Sequence, residues 1–331
     1  MMRMYRERFL FVAVLFVAVF VSKEFVLSDQ AAFEPENISA AAAVSARAPE
    51  RSSLTESRFE IIPLPPPTPQ SRRIVAARTE LARNALTEPP RATKLQVVAA
   101  SYHVRVLGVS EPLISFNSDS RWPAASLTKL MAAIIAAEHI GFEKEVIVGA
   151  DAVAAEGDTG AFAAGERFIA RDLVKAMLAV SSNDAAEALA AFMGRETFIA
   201  AMREKAIALG MYDTAFSDPT GLSVLDQTTV ADMDRLLEYI LERHPDVIEL
   251  SRESTQLVTE LTSGASRTLR SIHPFAANSA FLGGKTGYTP EAKENLVTLF
   301  KIAGKKVLIV VLGAADRTGA TQTLYDFVAG R

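Results

Sequence analysis

A serine and a lysine three positions apart are the first residues in this chain that can carry chemistry together. Ser126 and Lys129 form an S-x-x-K pattern that occurs once in the sequence. Residues three apart share one face of a helix, so the lysine amine can reach the serine hydroxyl and activate it as a nucleophile. A lysine acts as such a base only where burial or another cation lowers its pKa. The alternative is a helix-capping serine beside a solvated lysine, because the pattern alone is weak.

A second polar group lies further along the chain, in a short loop between two predicted helices. Ser181 and Asn183 can present a hydroxyl and an amide into a cleft from this loop. Serine and asparagine are also common helix caps, so a capping role for the helix predicted from Asp184 is the alternative.

The third group combines a cation, a hydroxyl and a glycine in Lys285, Thr286 and Gly287, with Tyr288 after them. On a strand edge, this combination suits a peptide that ends in a carboxylate, since the strand can pair with the peptide backbone and glycine permits close approach. The alternative is a glycine-rich turn with an exposed lysine. A phosphate-binding loop is excluded, because the glycine that it requires five positions before Gly284 is Ser279.

The elements that must position these groups change from strands to helices and back to strands. A hairpin is predicted over 103–109 and 113–116, and a helix from Ser126 to Gly141. Strands at both ends with helices between them predict an antiparallel sheet that joins the N- and C-terminal strands and packs against helices. The remaining predicted elements are helices over 171–180, 184–193, 196–209, 229–243 and 318–328, and a hairpin over 296–302 and 306–312.

The composition narrows the classes of function. The chain has 331 residues, a formal net charge of -4 and no cysteine. Such a charge gives no footprint for nucleic acid. Four scattered histidines and no cysteine predict no metal site, no disulfide and no thiol nucleophile, and no cofactor is expected.

The N-terminal third of the chain predicts export. Three arginines precede an unbroken apolar run over 9–21, which has the length of a signal-peptide core and is short for a membrane span. The arginines place the N-terminus inside and the rest outside the membrane. We expect residues 1–27 to be a signal peptide or a signal anchor, and residues 28–94, rich in proline and alanine, to be a disordered tether. The compact domain is expected over 95–331.

The three groups stand in a fixed order, with 55 positions between Ser126 and Ser181 and 104 between Ser181 and Lys285. The motifs S-x-x-K, S-D-N and K-T-G are known together from β-lactamases and penicillin-binding proteins. From about residue 101 to 328, the chain resembles the low-molecular-weight penicillin-binding D-alanyl-D-alanine carboxypeptidases and their endopeptidase relatives. The stretches that carry the resemblance are PAASLTKLM (123–131), SSNDAA (181–186), DPTGLS (218–223) and GKTGYT (284–289).

The resemblance implies an α/β (α+β) fold of the β-lactamase and penicillin-binding type: an α/β/α sandwich with an antiparallel sheet and an inserted all-helical subdomain. It implies a penicillin-sensitive, extracytoplasmic serine D-Ala-D-Ala carboxypeptidase that acts on peptidoglycan stem peptides, with β-lactams as covalent inhibitors. The resemblance implies that Ser126 is the nucleophile and Lys129 the acylation base, with Lys285 as the cation that keeps Lys129 neutral. Ser181 and Asn183 would relay the proton to the leaving amine and hold the substrate amide. Thr286 and Arg317 would bind the substrate carboxylate, and the N–H groups of Ser126 and Tyr288, next to Gly287, would form the oxyanion hole.

The chain departs from the family pattern at two positions. Ser182 and Lys293 stand where glycines are common, and Lys293 puts the local strand geometry in question. The short C-terminus, without a β-rich domain, is shared with the D,D-endopeptidases, which keeps cross-link cleavage as an alternative. A β-lactamase is a weaker alternative, because the segment 218–229 offers only Asp218 and Asp226 and no E-x-x-x-N arrangement. A non-catalytic wall-binding protein is the third.

Overall fold

The computed structural model describes residues 95–157 and 160–331. The predicted signal segment over 1–27 and the predicted tether over 28–94 lie outside the described residues. None of the helices in the described part of the chain has both the length and the apolarity of a membrane span.

The described chain alternates short strands, helices and three long C-terminal strands. In chain order the strands are β1 (Ser101–Val106), β2 (Ile114–Phe116), β3 (Trp122–Pro123), β4 (Glu145–Ile147), β5 (Arg167–Ile169), β6 (Gln227–Thr228), β7 (Thr255–Thr259), β8 (Ser266–Arg270), β9 (Phe281–Thr289), β10 (Lys293–Ile302) and β11 (Lys305–Ala314). The helices are a 3-10 turn (Ala125–Leu127), α1 (Thr128–Ile135) with a π-helical continuation (Ala136–Ile140), α2 (Ala150–Val153), α3 (Ala170–Ala179), α4 (Asn183–Met193), α5 (Arg195–Ala208), α6 (Val230–Arg243), α7 (Pro245–Arg252) and α8 (Arg317–Ala329).

The central sheet has five antiparallel strands in the order β2-β1-β11-β10-β9. The pairing of β1 with β11 confirms that the N- and C-terminal strands of the domain join. The hairpin between β10 and β11 turns through Ala303 and Gly304, which both have positive φ (47° and 79°), as a tight hairpin turn requires. Strand β9 forms one edge of this sheet.

Both faces of the sheet are covered by helices. Along β11, Leu308, Val310 and Leu312 pack into one apolar cluster, and the alternate residues Val307, Ile309 and Val311 pack into a second. Because side chains alternate across a strand, this pattern requires a buried layer on each face. Helices α1, α3 and α6 contribute to the first cluster, and α8 contributes to the second. The fold is therefore the expected α/β/α sandwich, with most helices inserted between β2 and β9.

The structure adds elements that the sequence analysis did not predict. Helix α7 follows α6 directly, and β7 and β8 form a separate hairpin. The predicted helices and the two predicted hairpins are confirmed, with ends shifted by a few residues. The long first helix ends at Gly141 (φ 86°) as predicted, but its last turn is π-helical.

Candidate active site

The candidate nucleophile lies in the 3-10 turn that leads into α1. Ser126 is partly exposed, while its neighbours Ala125 and Leu127 are buried. Neither the 3-10 turn nor α1 has a side-chain cap, so the Ser126 hydroxyl does not have the capping role that was the alternative. The turn is tight, because Ala125 has a φ of 48°. The hydroxyl therefore stands at the start of a helix and is available for chemistry.

The Lys129 amine is fully buried beside this hydroxyl. Its Nζ lies 2.9 Å from Ser126 Oγ and donates to Asn183 Oδ1 at 2.7 Å and to Thr220 O at 2.8 Å. The solvated lysine that the S-x-x-K pattern alone allows is therefore not what the fold contains. The orientation of the Asn183 amide is fixed by its other end, since Nδ2 donates to Glu156 O at 2.6 Å.

A second buried amine meets the loop between α3 and α4. Lys285 Nζ donates to Ser181 Oγ at 2.9 Å and to Thr286 O at 2.8 Å, and both Lys285 and Ser181 are buried. Ser181 has a φ of 61°, in the left-handed region that a non-glycine residue rarely adopts, and this conformation turns the chain sharply into α4. The two lysines thus contact Ser181 and Asn183, which are two positions apart, so the three predicted groups lie at one site.

Ser182 has a structural role instead. Its hydroxyl accepts from Ala185 N at 3.0 Å and so caps α4, and its side chain is fully buried. The serine that replaces the family's glycine therefore supplies the cap that was the alternative role of this segment, while Ser181 and Asn183 contact the two amines.

Strand β9 supplies one wall of the site from the sheet edge. Gly287 lies close to the 3-10 turn that carries Ser126 (Ala125–Leu127, the nucleophile turn). A Cβ added to Gly287 would be 3.1 Å from Ala124 O and 3.3 Å from Leu127 N. The Tyr288 side chain is 61% exposed, so it stands at the rim. Arg317, the first residue of α8, donates from Nη1 to Gly287 O at 3.1 Å. Arg317 is thus adjacent to the strand that carries the K-T-G group.

The loop after the helical region supports Lys129 from the opposite direction. Asp218 accepts from the backbone N–H groups of Thr220, Gly221 and Ser223 at 2.6 to 2.7 Å and from the Thr220 hydroxyl at 2.6 Å. Burial raises the pKa of Asp218, but these hydrogen bonds outweigh it and hold the pKa below its usual value. The ionised carboxylate fixes the loop, and through it the Thr220 carbonyl that accepts from Lys129.

Among the described residues, no histidine is placed to act as the base at this site. His273 is the one that packs behind β9, where a Cβ on Gly284 would be 2.7 Å from its Nε2. This ring donates from Nε2 to Val297 O at 3.1 Å and accepts from Phe275 N at 3.3 Å. Burial lowers the pKa of His273 to about 3, and the positive charge of Lys285 acts in the same direction.

Within residues 95–157 and 160–331, no three His, Asp or Glu side chains are placed to hold an ion together.

Two contacts of the site lie at residues that the sequence analysis did not assign. Thr220 holds Lys129 through its backbone carbonyl, and Glu156 holds Asn183 in the same way. A backbone carbonyl can come from any residue type, so neither position carried a signal of its own. Thr220 nevertheless lies within the DPTGLS stretch that carried the family resemblance.

A serine hydroxyl beside a buried amine, a second hydroxyl beside a second buried amine, and the edge strand β9 make an arrangement suited to acyl transfer to serine. On an α/β/α sandwich with an inserted helical region, this site defines the class of penicillin-binding serine peptidases.

The comparison with family models is consistent with that class. The model of the D-alanyl-D-alanine carboxypeptidase family of serine peptidases (S11) matches residues 91–316. The chain belongs to this family and is a serine-type peptidase, a hydrolase of the D-alanyl-D-alanine carboxypeptidase kind.

Curated relatives include both endopeptidases and carboxypeptidases. The chain is 31% identical to a D-alanyl-D-alanine endopeptidase of Haemophilus influenzae over 240 residues, which is 69% of this chain and 79% of that protein. It is 32% identical to a D-alanyl-D-alanine endopeptidase of Pseudomonas aeruginosa over 237 residues (68% and 76%). It is 26% identical to a D-alanyl-D-alanine carboxypeptidase of Bacillus subtilis over 225 residues (65% and 58%).

Solved structures show the same fold. A D-alanyl-D-alanine carboxypeptidase of Mycobacterium tuberculosis superposes with a TM-score of 0.66 at 22% identity, covering 74% of this chain and 97% of that one. The Streptomyces K15 DD-transpeptidase superposes with a TM-score of 0.64 at 22% identity, covering 70% and 97%.

Proposed function

We propose that this protein hydrolyses D-Ala-D-Ala bonds in the stem peptides of peptidoglycan through an acyl-enzyme on Ser126. The observation that carries the proposal is the buried Lys129 amine 2.9 Å from the Ser126 hydroxyl, with the pair of Ser181 and Lys285 joined to it through the loop before α4. The substrate lies outside the cytoplasmic membrane, so the enzyme acts there. β-Lactams acylate the same hydroxyl.

The contacts of Lys129 support its role as the acylation base. Asn183 Oδ1 and Thr220 O can only accept hydrogen bonds, so each takes an N–H of the amine. In the neutral amine, the lone pair is then available to the Ser126 hydroxyl, whose oxygen lies 2.9 Å from Nζ. This arrangement lets Lys129 take the hydroxyl proton as the serine oxygen attacks the carbonyl carbon of the penultimate D-Ala.

The remaining steps use the second pair and the strand edge. The N–H groups of Ser126 and Tyr288 stabilise the negative oxygen of the tetrahedral intermediate. The proton passes through Ser181 to the nitrogen of the leaving D-Ala as the C–N bond breaks. Lys285, Thr286 and Arg317 attract the terminal carboxylate of that residue. Water then attacks the ester, one of its protons restores the Ser126 hydroxyl, and the shortened peptide leaves with the water oxygen in its new carboxyl group.

Cleavage of cross-links is a second candidate function. Two relatives that are more than 30% identical to this chain, from Haemophilus influenzae and Pseudomonas aeruginosa, are named endopeptidases. The bond in a cross-link also joins a D-Ala carbonyl to an amine, so the same acylation chemistry serves both reactions. The difference lies in the size of the leaving group.

β-Lactamase activity has less support. Asp218 is occupied by hydrogen bonds from its own loop, and Asp226 is completely buried, so neither is exposed to activate a deacylating water. Fast turnover of a chromogenic cephalosporin would reverse this assignment.

A labelling experiment tests the acyl-enzyme. The wild-type protein is expected to bind a fluorescent penicillin covalently, with a mass increase on the peptide that contains Ser126. Ser126→Ala is expected to lose all labelling. Ser182→Gly, in the same site but without a catalytic role, is expected to keep it. A folded wild-type protein that does not label would refute the proposal.

Digestion of purified muropeptides distinguishes the two reactions. Release of free D-Ala from monomeric pentapeptides indicates a carboxypeptidase. Conversion of cross-linked dimers to monomers, detected by mass spectrometry, indicates an endopeptidase. Ser126→Ala is the blank for both.

We also propose that the N-terminal segment over 1–27 directs export and that residues 28–94 connect it to the catalytic domain. The apolar run and its preceding arginines support this proposal. N-terminal sequencing of the mature protein, together with membrane fractionation, separates a cleaved signal from an anchor.

A further inference from the structure

Asn295 is a fully buried polar residue near the start of β10, and the proposed chemistry does not use it. It lies on β10, directly opposite Gly287 of β9. On its other side, the pairing of β10 with β11 is interrupted by a bulge between Glu294 and Leu296. A bulge redirects a side chain that would otherwise follow the alternation of the strand.

The Asn295 carboxamide is hydrogen bonded at both ends. Its Nδ2 donates to Pro123 O at 2.8 Å and to Ala124 O at 3.1 Å, and its Oδ1 accepts from Gly313 N at 2.8 Å. Two backbone carbonyls can only accept and one backbone N–H can only donate, so these partners fix the orientation of the amide. A buried side chain with all of its near partners satisfied holds its position rigidly.

The two carbonyls that Asn295 binds belong to the segment that delivers the nucleophile. Ala124 is two residues before Ser126, and the 3-10 turn starts between them. The same segment lies against Gly287 with no spare room, since a Cβ there would be 3.1 Å from Ala124 O. Asn295 therefore sets the distance between the nucleophile turn and β9.

We propose that Asn295 is a positioning residue that holds the Ser126 N–H and the Tyr288 N–H at the separation required to stabilise the oxyanion. This inference rests on the proposed function. The Ser126 N–H lies on the turn that Asn295 binds. The Tyr288 N–H lies one residue after Gly287, which is the residue that pairs with Asn295 across the two strands. Acyl transfer depends on such donors being fixed before the reaction, because a displacement of about 1 Å can cost about 100-fold in rate.

The test compares variants of Asn295 with a matched control on the same strand. Asn295→Asp keeps the shape but places an acceptor against two carbonyls, and Asn295→Ala removes the amide if the first variant does not fold. Thr298→Val is the control: Thr298 is equally buried on β10, and its hydroxyl lies 3.5 Å from His273 Nε2, not at the nucleophile turn. All proteins are studied well below their melting temperatures, and their active sites are titrated with penicillin.

The measurement is the acylation rate constant per active site, together with the inhibition constant of a peptide boronic acid. The boronate forms a tetrahedral anion on Ser126 and so requires the oxyanion donors. We expect Asn295→Asp and Asn295→Ala to acylate about 10- to 100-fold more slowly, with a parallel loss of boronate affinity and a KM for peptide changed less than about threefold. Thr298→Val is expected to acylate at the wild-type rate, even if it melts at a lower temperature.

Two results would overturn the inference. One is wild-type acylation per active site in both Asn295 variants, which reduces Asn295 to a stabilising residue. The other is an equal loss of acylation in Thr298→Val, which shows a general effect of damage to β10. A wild-type protein that is never acylated at Ser126 is a different outcome, because it refutes the proposed function itself.

Discussion

Asp226 is predicted to make the stability of this protein depend on pH between about 4 and 7. The residue is fully buried, and its Oδ1 accepts from both the backbone N–H and the hydroxyl of Ser217 at 2.5 Å. Its Oδ2 is buried without a hydrogen-bond partner among the described residues. Burial raises the pKa of Asp226 from 3.8 to about 7, and the negative charge of Asp218 contributes in the same direction.

The direction of the effect follows from the two pKa values. Below pH 3.8 the carboxyl is protonated in the folded and the unfolded chain, and stability is unaffected. Between pH 3.8 and about 7 only the folded state holds the proton, so the free energy of unfolding falls as the pH rises. At about 1.4 kcal/mol for each pH unit, the loss amounts to about 4 kcal/mol and is complete above pH 7.

Asp226→Asn removes this titration while keeping an oxygen for Ser217. The free energy of unfolding of the variant, minus that of the wild type, is therefore expected to increase by about 4 kcal/mol between pH 4 and pH 8. Urea denaturation at a series of pH values measures it, with the fluorescence of the single tryptophan, Trp122, as the signal. Asp326→Asn makes the same change of charge at an exposed position and is expected to differ from the wild type by less than about 0.5 kcal/mol at every pH.

A constant difference between Asp226→Asn and the wild type across this range would refute the reasoning, because Asp226 would then be ionised in the folded protein from low pH. Asp218→Asn serves as the opposite case. Its folded-state pKa is lowered, so the stability contributed by the Asp218 carboxylate is present above its ordinary pKa and is lost as the pH falls through the lower folded-state value. The variant is therefore expected to be less stable than the wild type at neutral pH and to approach it only in acid.

Two backbone positions provide further predictions. Gly221→Ala places a Cβ 1.9 Å from Ala125 O at a φ of 85°. This variant is expected to lower the free energy of unfolding by about 3 kcal/mol and to slow acylation at least tenfold. Its control, Gly264→Ala, has a φ of 70° in open space, so it is expected to lower the free energy of unfolding by only about 1 kcal/mol and to leave acylation unchanged. Lys293→Gly relieves a φ of 56° and is expected to stabilise the protein by about 0.5 to 1 kcal/mol in urea denaturation, whereas Lys293→Ala, which keeps the strain, should give no such gain.

The parts of the fold that the sequence predicted well are those in which local pattern and tertiary burial agree. The hairpin of β10 and β11 reads as two apolar runs around a glycine turn, and both of its faces are buried. The hairpin of β7 and β8 escaped prediction because it lies at the surface and its strands, TQLVT and SRTLR, are largely polar. Helix α7 was missed although Pro245 stands at its first position, where proline is common, because His244 separates it from α6 by a single residue.

The same distinction applies to the site. Ser126 and Lys129 are three apart on one helical segment, so their contact follows from local geometry. The contact of Asn295 with Ala124 spans 171 positions, and that of Lys129 with Thr220 spans 91. Neither follows from periodicity, because the first contact joins the segment before α1 to the sheet and the second joins α1 to the loop after α5. A family resemblance transfers the residues that do the chemistry, but the residues that hold them emerge only from the coordinates.

The segment before the nucleophile is held from two directions by two different kinds of group. On the sheet side, the Asn295 amide binds the carbonyls of Pro123 and Ala124, and its hydrogen bonds do not titrate. On the other side, the N–H of Ala124 donates to the backbone carbonyl of Asp226 at 2.7 Å. Ionisation of Asp226 therefore loosens a residue that contacts the nucleophile segment directly, while the Asn295 contact persists. Loss of stability between pH 3.8 and about 7 acts through Asp226, whereas loss of oxyanion geometry acts through Asn295. The two effects are thus separable, although both residues contact the segment before Ser126.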